Sequence, residues 1–259
     1  TTLAAAALCG ADEIYAIGGA QAIFALARGT GSIRPVDVIA GPGNSWVNEA
    51  KRRVFGEVGI DSLAGPSDLM VVLDGTTDLR LAALDLCAQA EHGSESPLVA
   101  VVPSEAVAME LEAAVGDLAE AQSSVKDSPL AVVVVRDTAA AIALANSFAP
   151  EHLELLCVDA VELVPSVRNA GAIFIGPWSP ASVGDYLAGP SHVLPTYGTA
   201  RFSSALTVDD FLKHLAVLQQ LDAIAVVPIV SWRYPAPGRL INDTRAARPP
   251  LTKEPPVAG

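Results

Sequence analysis

Apolar and polar positions along the chain form short blocks that predict strands and helices in alternation. Largely apolar segments of strand length occupy residues 13–17, 36–40, 68–74, 97–103, 130–136, 152–158 and 172–175. Segments with helical periodicity separate most of these runs, at residues 3–8, 18–28, 45–54, 81–92, 105–122 and 139–148. Alternation at this pitch favours parallel sheets, so the pattern predicts an α/β fold with two doubly wound Rossmann-like domains, both incomplete.

Breaks in this pattern suggest where the domains divide. The turn-forming residues Ala64–Ser67 separate two blocks and predict a domain crossing, with one Rossmann-like part at 1–67 and a second such domain at 68–203. A helix is expected to begin at Thr207, and it would open a C-terminal segment at 204–259. Repeated prolines after about residue 219 forbid long regular elements there and predict an irregular Pro-rich tail.

Individual segments also carry expectations. The β-branched run at 130–136 is typical of a central parallel strand, because strands covered on both faces are continuously apolar. Ala-rich residues near the start, beginning at Thr1 without an initiator Met, suggest a fragment that lacks an N-terminal part.

Composition narrows the classes of function. The 259 residues are 51% hydrophobic, which is enough for a substantial core, and the formal net charge of −13 makes nucleic acid and anionic membrane surfaces poor candidate partners. No apolar run reaches the length of a membrane span. Cys9, Cys87 and Cys157 all lie in apolar contexts, which predicts reduced thiols and a cytoplasmic location.

Two glycine-rich turns follow predicted strands and precede helices. They are Gly18-Gly19 and Gly41-Pro42-Gly43-Asn44. Such turns place backbone N–H groups at a helix N-terminus, where phosphate binds, but tight packing turns explain the glycines equally well. Neither turn has the G-x-G-x-x-G spacing, so a dinucleotide site is only weakly indicated from the residues themselves.

A cluster of polar residues ends the helical run at 81–92. Gln89 and His92 are spaced i, i+3 and would share one face of a helix, where an amide oxygen and an imidazole nitrogen can hold a divalent metal such as zinc. Periodicity alone favours a solvated helix terminus instead. Glu151-His152 at a strand entrance is consistent with either a general acid/base pair or a surface turn.

The remaining candidates lie in the second half of the chain. Asp185 lies in a glycine-flanked loop, where a carboxylate can approach a ligand or metal, although a solvated turn is the simpler interpretation. His192 lies in a Gly-Pro turn, a context in which histidines are more often functional. His214 is expected on the outside of the helix after Thr207.

Several blocks in one order carry a resemblance to a known family. They are Gly18–Ile23, Gly41–Asn44, Ala64–Ser67, Ala88–His92, Ala149–Glu154 and the loop from Gly184-Asp185-Tyr186 to His192–Thr196. Over residues 1 to about 217 the chain resembles the histidinol dehydrogenases, the zinc enzymes that complete histidine biosynthesis.

The resemblance implies an NAD-dependent oxidation of L-histidinol to L-histidine through the aldehyde, in a homodimer with one Zn²⁺ per subunit. By position in the matching blocks, Gln89, His92 and Asp185 correspond to zinc ligands, and Glu151 and His152 to the catalytic pair. Gln21 and Asn44 correspond to NAD contacts. The implied substrate contacts are Ser67, Gln89, His92, His152, Asp185 and His192.

The chain also departs from the family pattern. Nothing after Val217 resembles the family's C-terminal motif, whose histidine completes the zinc site, and no histidine follows His214. The sequence therefore leaves open a truncated or frame-altered homologue without catalysis. A generic nucleotide-binding domain is a third alternative if Gln89, His92 and Asp185 lie far apart.

Overall fold

A computed structural model describes residues 1–125, 127–217 and 230–235 of the chain. The chain divides into two compact units. The first contains residues 1–39, 49–61 and the segment from 208 onward, and the second contains residues 40–48 and 62–207. The predicted divisions at 1–67, 68–203 and 204–259 stay a prediction.

The first unit consists of short elements. Its helices are α1 (Thr2–Leu8) and α2 (Ala20–Arg28), and helix α3 (Ser45–Val54) contributes its second half. Strands β1 (Val38–Ile39) and β2 (Gly59–Ile60) pair in parallel. A fully buried ion pair between Lys51 Nζ and Asp61 Oδ1, 2.6 Å apart, links α3 to the segment after β2.

The second unit is built on a five-stranded parallel sheet. The strands are β3 (Leu69–Leu73), β4 (Leu98–Val102), β5 (Leu130–Val134), β6 (His152–Leu156) and β7 (Ala172–Ile175), in the order β5-β4-β3-β6-β7. The chain thus proceeds outward from β3 on one side and then returns to β3 to build the other side. This reversal between β3 and β6 is the mark of a doubly wound sheet.

Helices cover both faces of this sheet. Helices α4 (Leu79–Ala90), α5 (Glu105–Ala121) and α8 (Ala181–Tyr186) bury their apolar residues against one face, together with Leu69, Val71 and Leu156. Helices α6 (Thr138–Phe148) and α7 (Ala160–Leu163) pack on the other face, against Leu153 and Leu155. Strands β3 and β4 are buried along their whole length and contain only apolar residues, whereas β6 is equally buried but also carries His152 and Glu154.

The predicted α/β class and its parallel sheets are confirmed, but four local predictions are wrong. Residues 13–17 form no strand; in the part of the chain that the structure describes they have no partner strand, and Ile14 and Ile17 remain exposed. Strand β5 lies at the sheet edge rather than the centre, because β-branched residues indicate strand propensity and not strand position.

The other two errors concern the second half. Asp185 lies on helix α8 and not in a loop. Thr207 opens no α-helix: a 3₁₀ turn at Val208–Phe211 leads into strand β8 (Leu212–Val217), which carries the exposed His214. Strand β8 pairs antiparallel with β9 (Val230–Pro235), so tertiary pairing overrides the local helical signal. The remainder of the predicted Pro-rich tail lies outside the described residues.

Cys9, Cys87 and Cys157 are all free thiols. Among the helices that the structure describes, none is both long and apolar enough to cross a membrane.

The centre of β6 is expected to dominate the stability of the second unit. Leu155 is fully buried, so Leu155→Ala should lower the free energy of unfolding by about 2–5 kcal/mol through lost burial and the cavity it leaves. Val158→Ala is the matched control, because Val158 is 80% exposed just beyond the same strand, and it should change stability by less than about 0.5 kcal/mol. Equal losses in chemical denaturation would contradict this assignment of the core.

Candidate active site

The candidate residues converge on a cavity at the amino ends of strands β3, β6 and β7. Parallel pairing aligns Leu69 with His152 and His152 with Ala172, so the residues just before these strands lie side by side. The cavity encloses about 330 Å³, within the range of small-molecule sites. Its walls include Gly41, Pro42, Gly43, Gly65, Ser67, His92, Glu151, His152, Asp185, His192 and Thr196.

Glu151 and His152 are both buried, and Asp68 fixes them in place. The Asp68 carboxylate accepts the backbone N–H of Glu151 at 2.8 Å, and the Asp68 N–H donates to Glu151 Oε2 at 3.2 Å. The Asp68 carbonyl oxygen lies 3.0 Å from His152 Nδ1. A carbonyl can only accept, so Nδ1 carries the proton in this geometry and the Nε2 lone pair is left available as a base.

Burial governs the ionisation of this pair. It lowers the pKa of His152 below its usual 6.5 and so keeps the imidazole neutral near pH 7, as a general base requires. Burial also raises the pKa of Glu151 to about 8, with the nearby Asp68 and Asp185 carboxylates adding to the effect and a hydrogen bond from Ser67 opposing it. A cation bound in the cavity would lower the pKa of Glu151 again, because an opposite charge favours the ionised carboxylate.

Gln89 and His92 each have one polar atom anchored and another left available. Gln89 is buried in the last turn of α4, and its Nε2 donates to Ser67 Oγ at 2.7 Å, which leaves Oε1 for a ligand. His92 lies just beyond the helix, with Nδ1 3.1 Å from the Gln89 carbonyl oxygen, which leaves Nε2. Anchoring the non-ligating atom is how proteins orient metal ligands, so both residues fit a zinc site.

Asp185 at the end of α8 connects the two groups of residues. Its Oδ1 lies 4.0 Å from His152 Nε2 and 3.9 Å from His192 Nδ1. With Gln89 and His92 it also lines an adjoining cavity of about 320 Å³. The three residues that the sequence predicts as zinc ligands therefore share one cavity wall, next to the acid–base pair.

Two predicted cofactor contacts are not among the residues that line the cavity. Gln21 is on α2, in the first unit. Asn44 is in the second unit but is not part of the cavity wall; its Oδ1 accepts the Val47 N–H at 3.1 Å and so caps the start of α3. The neighbouring Gly43 does line the cavity, and a Cβ there would lie 2.3 Å from the Val47 side chain, so close packing requires a glycine.

The sequence did not indicate a buried pair of carboxyl groups next to the site. Glu154, which is 1% exposed on β6, shares a hydrogen bond with Asp85 on α4, one turn before Gln89. Burial and the neighbouring Asp85 carboxyl raise the pKa of Glu154 to about 9, so the pair retains a proton near pH 7. The only sequence signal is that Glu154 occupies a position between buried leucines of a strand.

Polar residues also meet at the opposite end of the strands, their carboxyl ends. Ligand-type atoms of Asp74, Cys157 and Asp159 lie within 4.8 Å of one another beyond the carboxyl ends of β3 and β6. The Asp74 carboxylate accepts the N–H groups of Thr76 at 2.8 Å and Val158 at 2.7 Å. Burial and the neighbouring carboxylates raise the pKa of the Cys157 thiol to about 12, which disfavours the thiolate that binds metals. This trio is unrelated to the predicted ligands.

The fold and the cavity together define a class: a doubly wound α/β protein with an acid–base pair and metal-type ligands in one cleft, as is typical of enzymes. Comparison with known proteins gives the family. The family model described as histidinol dehydrogenase matches residues 1–227, so the chain belongs to the histidinol dehydrogenase family.

Individual relatives agree with this assignment. The chain is 50% identical over 228 residues to histidinol dehydrogenase from Cereibacter sphaeroides, covering 85% of the chain and 52% of the relative. It is 49% identical to the Prochlorococcus marinus protein, covering 84% and 51%. The crystal structure of histidinol dehydrogenase from Elizabethkingia anophelis matches with a TM-score of 0.78 and 32% identity, covering 89% of this chain and 51% of that one. The chain thus spans about half the length of the relatives it matches.

The Glu154–Asp85 pair should make stability depend on pH. The usual carboxyl pKa is 4.5, and the pKa of Glu154 in the fold is about 9. At pH values between these two, the folded state retains a proton on Glu154 that the unfolded chain has lost. Raising the pH through this window therefore favours unfolding. In Glu154→Gln the amide still donates to Asp85 but cannot ionise, so its free energy of unfolding should decline less from about pH 5 to about pH 9 than that of the parent protein.

Glu110→Gln is the matched control for this experiment, because Glu110 is exposed on α5. Its pH profile in urea denaturation should follow the parent profile. A Glu154→Gln profile parallel to that of the parent would show that Glu154 is already ionised in the fold.

Proposed function

We propose that this chain is the part of a histidinol dehydrogenase that carries out the zinc-requiring, NAD-dependent oxidation of L-histidinol to L-histidine via L-histidinaldehyde. One observation supports this most directly: Gln89, His92 and Asp185 share a cavity wall next to the buried pair Glu151 and His152. Family membership supports the same reaction, and the family's L-histidinol is the substrate that we assign.

The metal would be held by Gln89 Oε1, His92 Nε2 and an Asp185 carboxylate oxygen. Amide, imidazole and carboxylate groups are acceptable donors for zinc, and a catalytic zinc site keeps a position open for substrate or water. When bound, zinc would supply a fixed point for the imidazole and amine of the substrate. The protein contributes orientation, through the Ser67 hydroxyl on Gln89 and the Gln89 carbonyl on His92.

His152 serves the first oxidation as general base. Its neutral imidazole, with Nδ1 held by the Asp68 carbonyl, presents the Nε2 lone pair toward the side of the cavity where Asp185 lies. His152 takes the hydroxyl proton of the alcohol, and NAD, when bound, would supply the hydride acceptor, so that the product of this step is the aldehyde. Asp185 stabilises the resulting imidazolium because its carboxylate lies 4.0 Å from Nε2.

Glu151 serves the second oxidation. A carboxylate beside the cavity can remove a proton from water as the water adds to the aldehyde carbon, which gives the hydrate anion. A second NAD, when bound, would accept the remaining hydride of this carbon, so that the product is the carboxylic acid. The Ser67 hydroxyl favours the ionised form of Glu151 by donating to it. Ser67 and His192, which both line the cavity, are the proposed substrate contacts.

Turnover of L-histidinol tests the function. Purified protein with L-histidinol, NAD and zinc should produce NADH, and a chelator should abolish the signal. No NADH from this chain, with normal production by a full-length relative such as the Cereibacter sphaeroides protein, would favour the alternative of a truncated or frame-altered homologue without catalysis. Size-exclusion chromatography of the same sample tests the homodimer that the family predicts.

Glu151→Gln should separate the two oxidations. The amide cannot activate water, so the variant should release about one NADH per histidinol, instead of the two that complete oxidation requires, and accumulate aldehyde. Stopped-flow absorbance with an aldehyde-trapping reagent measures both quantities. Complete oxidation at the parent rate would remove Glu151 from the mechanism.

Zinc affinity tests the ligand set independently of turnover. Ser67→Ala removes the anchor of Gln89 and should weaken zinc binding by roughly 10- to 100-fold, the usual effect of losing an outer contact to a ligand. His92→Ala removes a ligand and should weaken it further. The control is His214→Ala, because His214 is exposed on β8 of the first unit, and isothermal titration should show parent affinity. Loss of affinity in the control alone would contradict the assigned site.

A further inference from the structure

We propose that Asp68 is a positioning residue for the Glu151–His152 pair, acting through its carboxylate on the backbone of Glu151 and through its own backbone on both side chains. The proposal rests on the proposed function, because it concerns the groups assigned there to proton transfer. Asp68 itself touches neither the cavity of the catalytic pair nor the candidate metal ligands in the contacts that the structure describes.

The contacts of Asp68 are concentrated on these two residues. Its carboxylate and its N–H form a reciprocal pair of hydrogen bonds with the N–H and Oε2 of Glu151. Its carbonyl oxygen receives both the backbone N–H of His152, at 3.3 Å, and the ring Nδ1, at 3.0 Å. One residue therefore determines the direction of the Glu151 carboxylate and the tautomer of the His152 imidazole.

The side-chain carboxylate of Asp68 makes a hydrogen bond that the pairing of the strands does not provide. The Asp68 carbonyl bond to the His152 N–H belongs to the parallel ladder that pairs Leu69 with His152. Glu151 precedes that ladder, and its N–H is satisfied by the Asp68 side chain. Without this acceptor the buried N–H is left unpaired, which favours a shift of Glu151 and, with it, of the ring of His152.

Asp68 also lies at the boundary between two cavities. Its side chain, 3% exposed, forms part of the wall of a separate cavity of about 430 Å³ with Phe148, Tyr197 and Arg201, whereas Ser67 and Glu151 on either side of it line the candidate active site. A smaller residue at position 68 would admit water from that cavity to the Glu151 N–H. Such water can replace the hydrogen bond but not its fixed direction.

The experiment compares Asp68→Ala, Asp68→Ser and Asp68→Asn with the parent protein. Asn keeps an oxygen that can accept the Glu151 N–H, whereas Ala removes the acceptor and the shorter Ser cannot reach it. Asp117→Ala, on the exposed face of α5, is the matched control.

The first readout is the tautomer of His152, measured by ¹⁵N NMR on histidine-labelled protein. The chain has only 4 histidines, so the His152 signals can be assigned by removing the others singly. We expect the Nδ1–H tautomer in the parent protein, in Asp68→Asn and in the control, and a mixed or exchange-broadened signal in Asp68→Ala or Asp68→Ser. This readout requires no turnover, so it tests the positioning role even if the proposed reaction fails.

The second readout is kinetic. Displacement of the pair without loss of binding should lower kcat by roughly 10- to 100-fold in Asp68→Ala and Asp68→Ser, with KM and zinc affinity close to the parent values. Asp68→Asn should restore most of kcat. The proposal is overturned if Asp68→Ser folds and retains both the tautomer and kcat, or if Asp68→Asn loses both as fully as Asp68→Ser. If Asp68→Ala does not fold, the tautomer and kcat of Asp68→Ser and Asp68→Asn test the proposal by themselves.

Discussion

The parallel pairing of β3 with β6 is the constraint on which the site depends. Its register aligns Leu69 with His152, so Asp68 lies beside Glu151 and their hydrogen bonds form in the buried interior. From there the contacts continue through Ser67 to Gln89, which joins the acid–base pair to a candidate metal ligand. A slip of one residue would turn His152 to the opposite face of the sheet, because side chains alternate along a strand.

The helices explain why the metal-type ligands lie at the amino ends of the strands. A helix that follows a parallel strand runs back along it, so α4, which begins after β3, ends near the amino ends of the strands and brings Gln89 and His92 there. Helix α8 does the same for Asp185 after β7. The buried bond between Glu154 and Asp85 then connects β6 to α4 within the protein interior. Strands supply the acid–base groups and returning helices supply the ligands.

The sequence predicted the strands of the second unit well, because buried parallel strands are continuous apolar runs with few alternative structures. It also indicated several of the residues that meet in the cavity, but the residues alone left solvated or turn alternatives open, and spacing favoured a solvated helix end for Gln89 and His92. Only the resemblance assigned these residues to one site. The sequence could not single out Asp68, whose contact with Glu151 joins residues 83 positions apart in the chain. Local patterns also failed at residues 13–17 and after Thr207, where pairing with distant segments decides the structure.

The Asp74 carboxylate has a consequence for the opposite end of the same sheet. Doubly wound proteins usually hold a nucleotide phosphate where the strand order reverses, with backbone N–H groups as donors. Here that reversal lies between β3 and β6, and Asp74 already occupies the N–H groups of Thr76 and Val158. The Asp74 carboxylate thus takes the position that a phosphate group would occupy, and its negative charge would repel the phosphate of a ligand. At this end of the sheet a carboxylate therefore takes the N–H donors that a phosphate would need, while the residues of the candidate active site meet at the amino ends of the same strands.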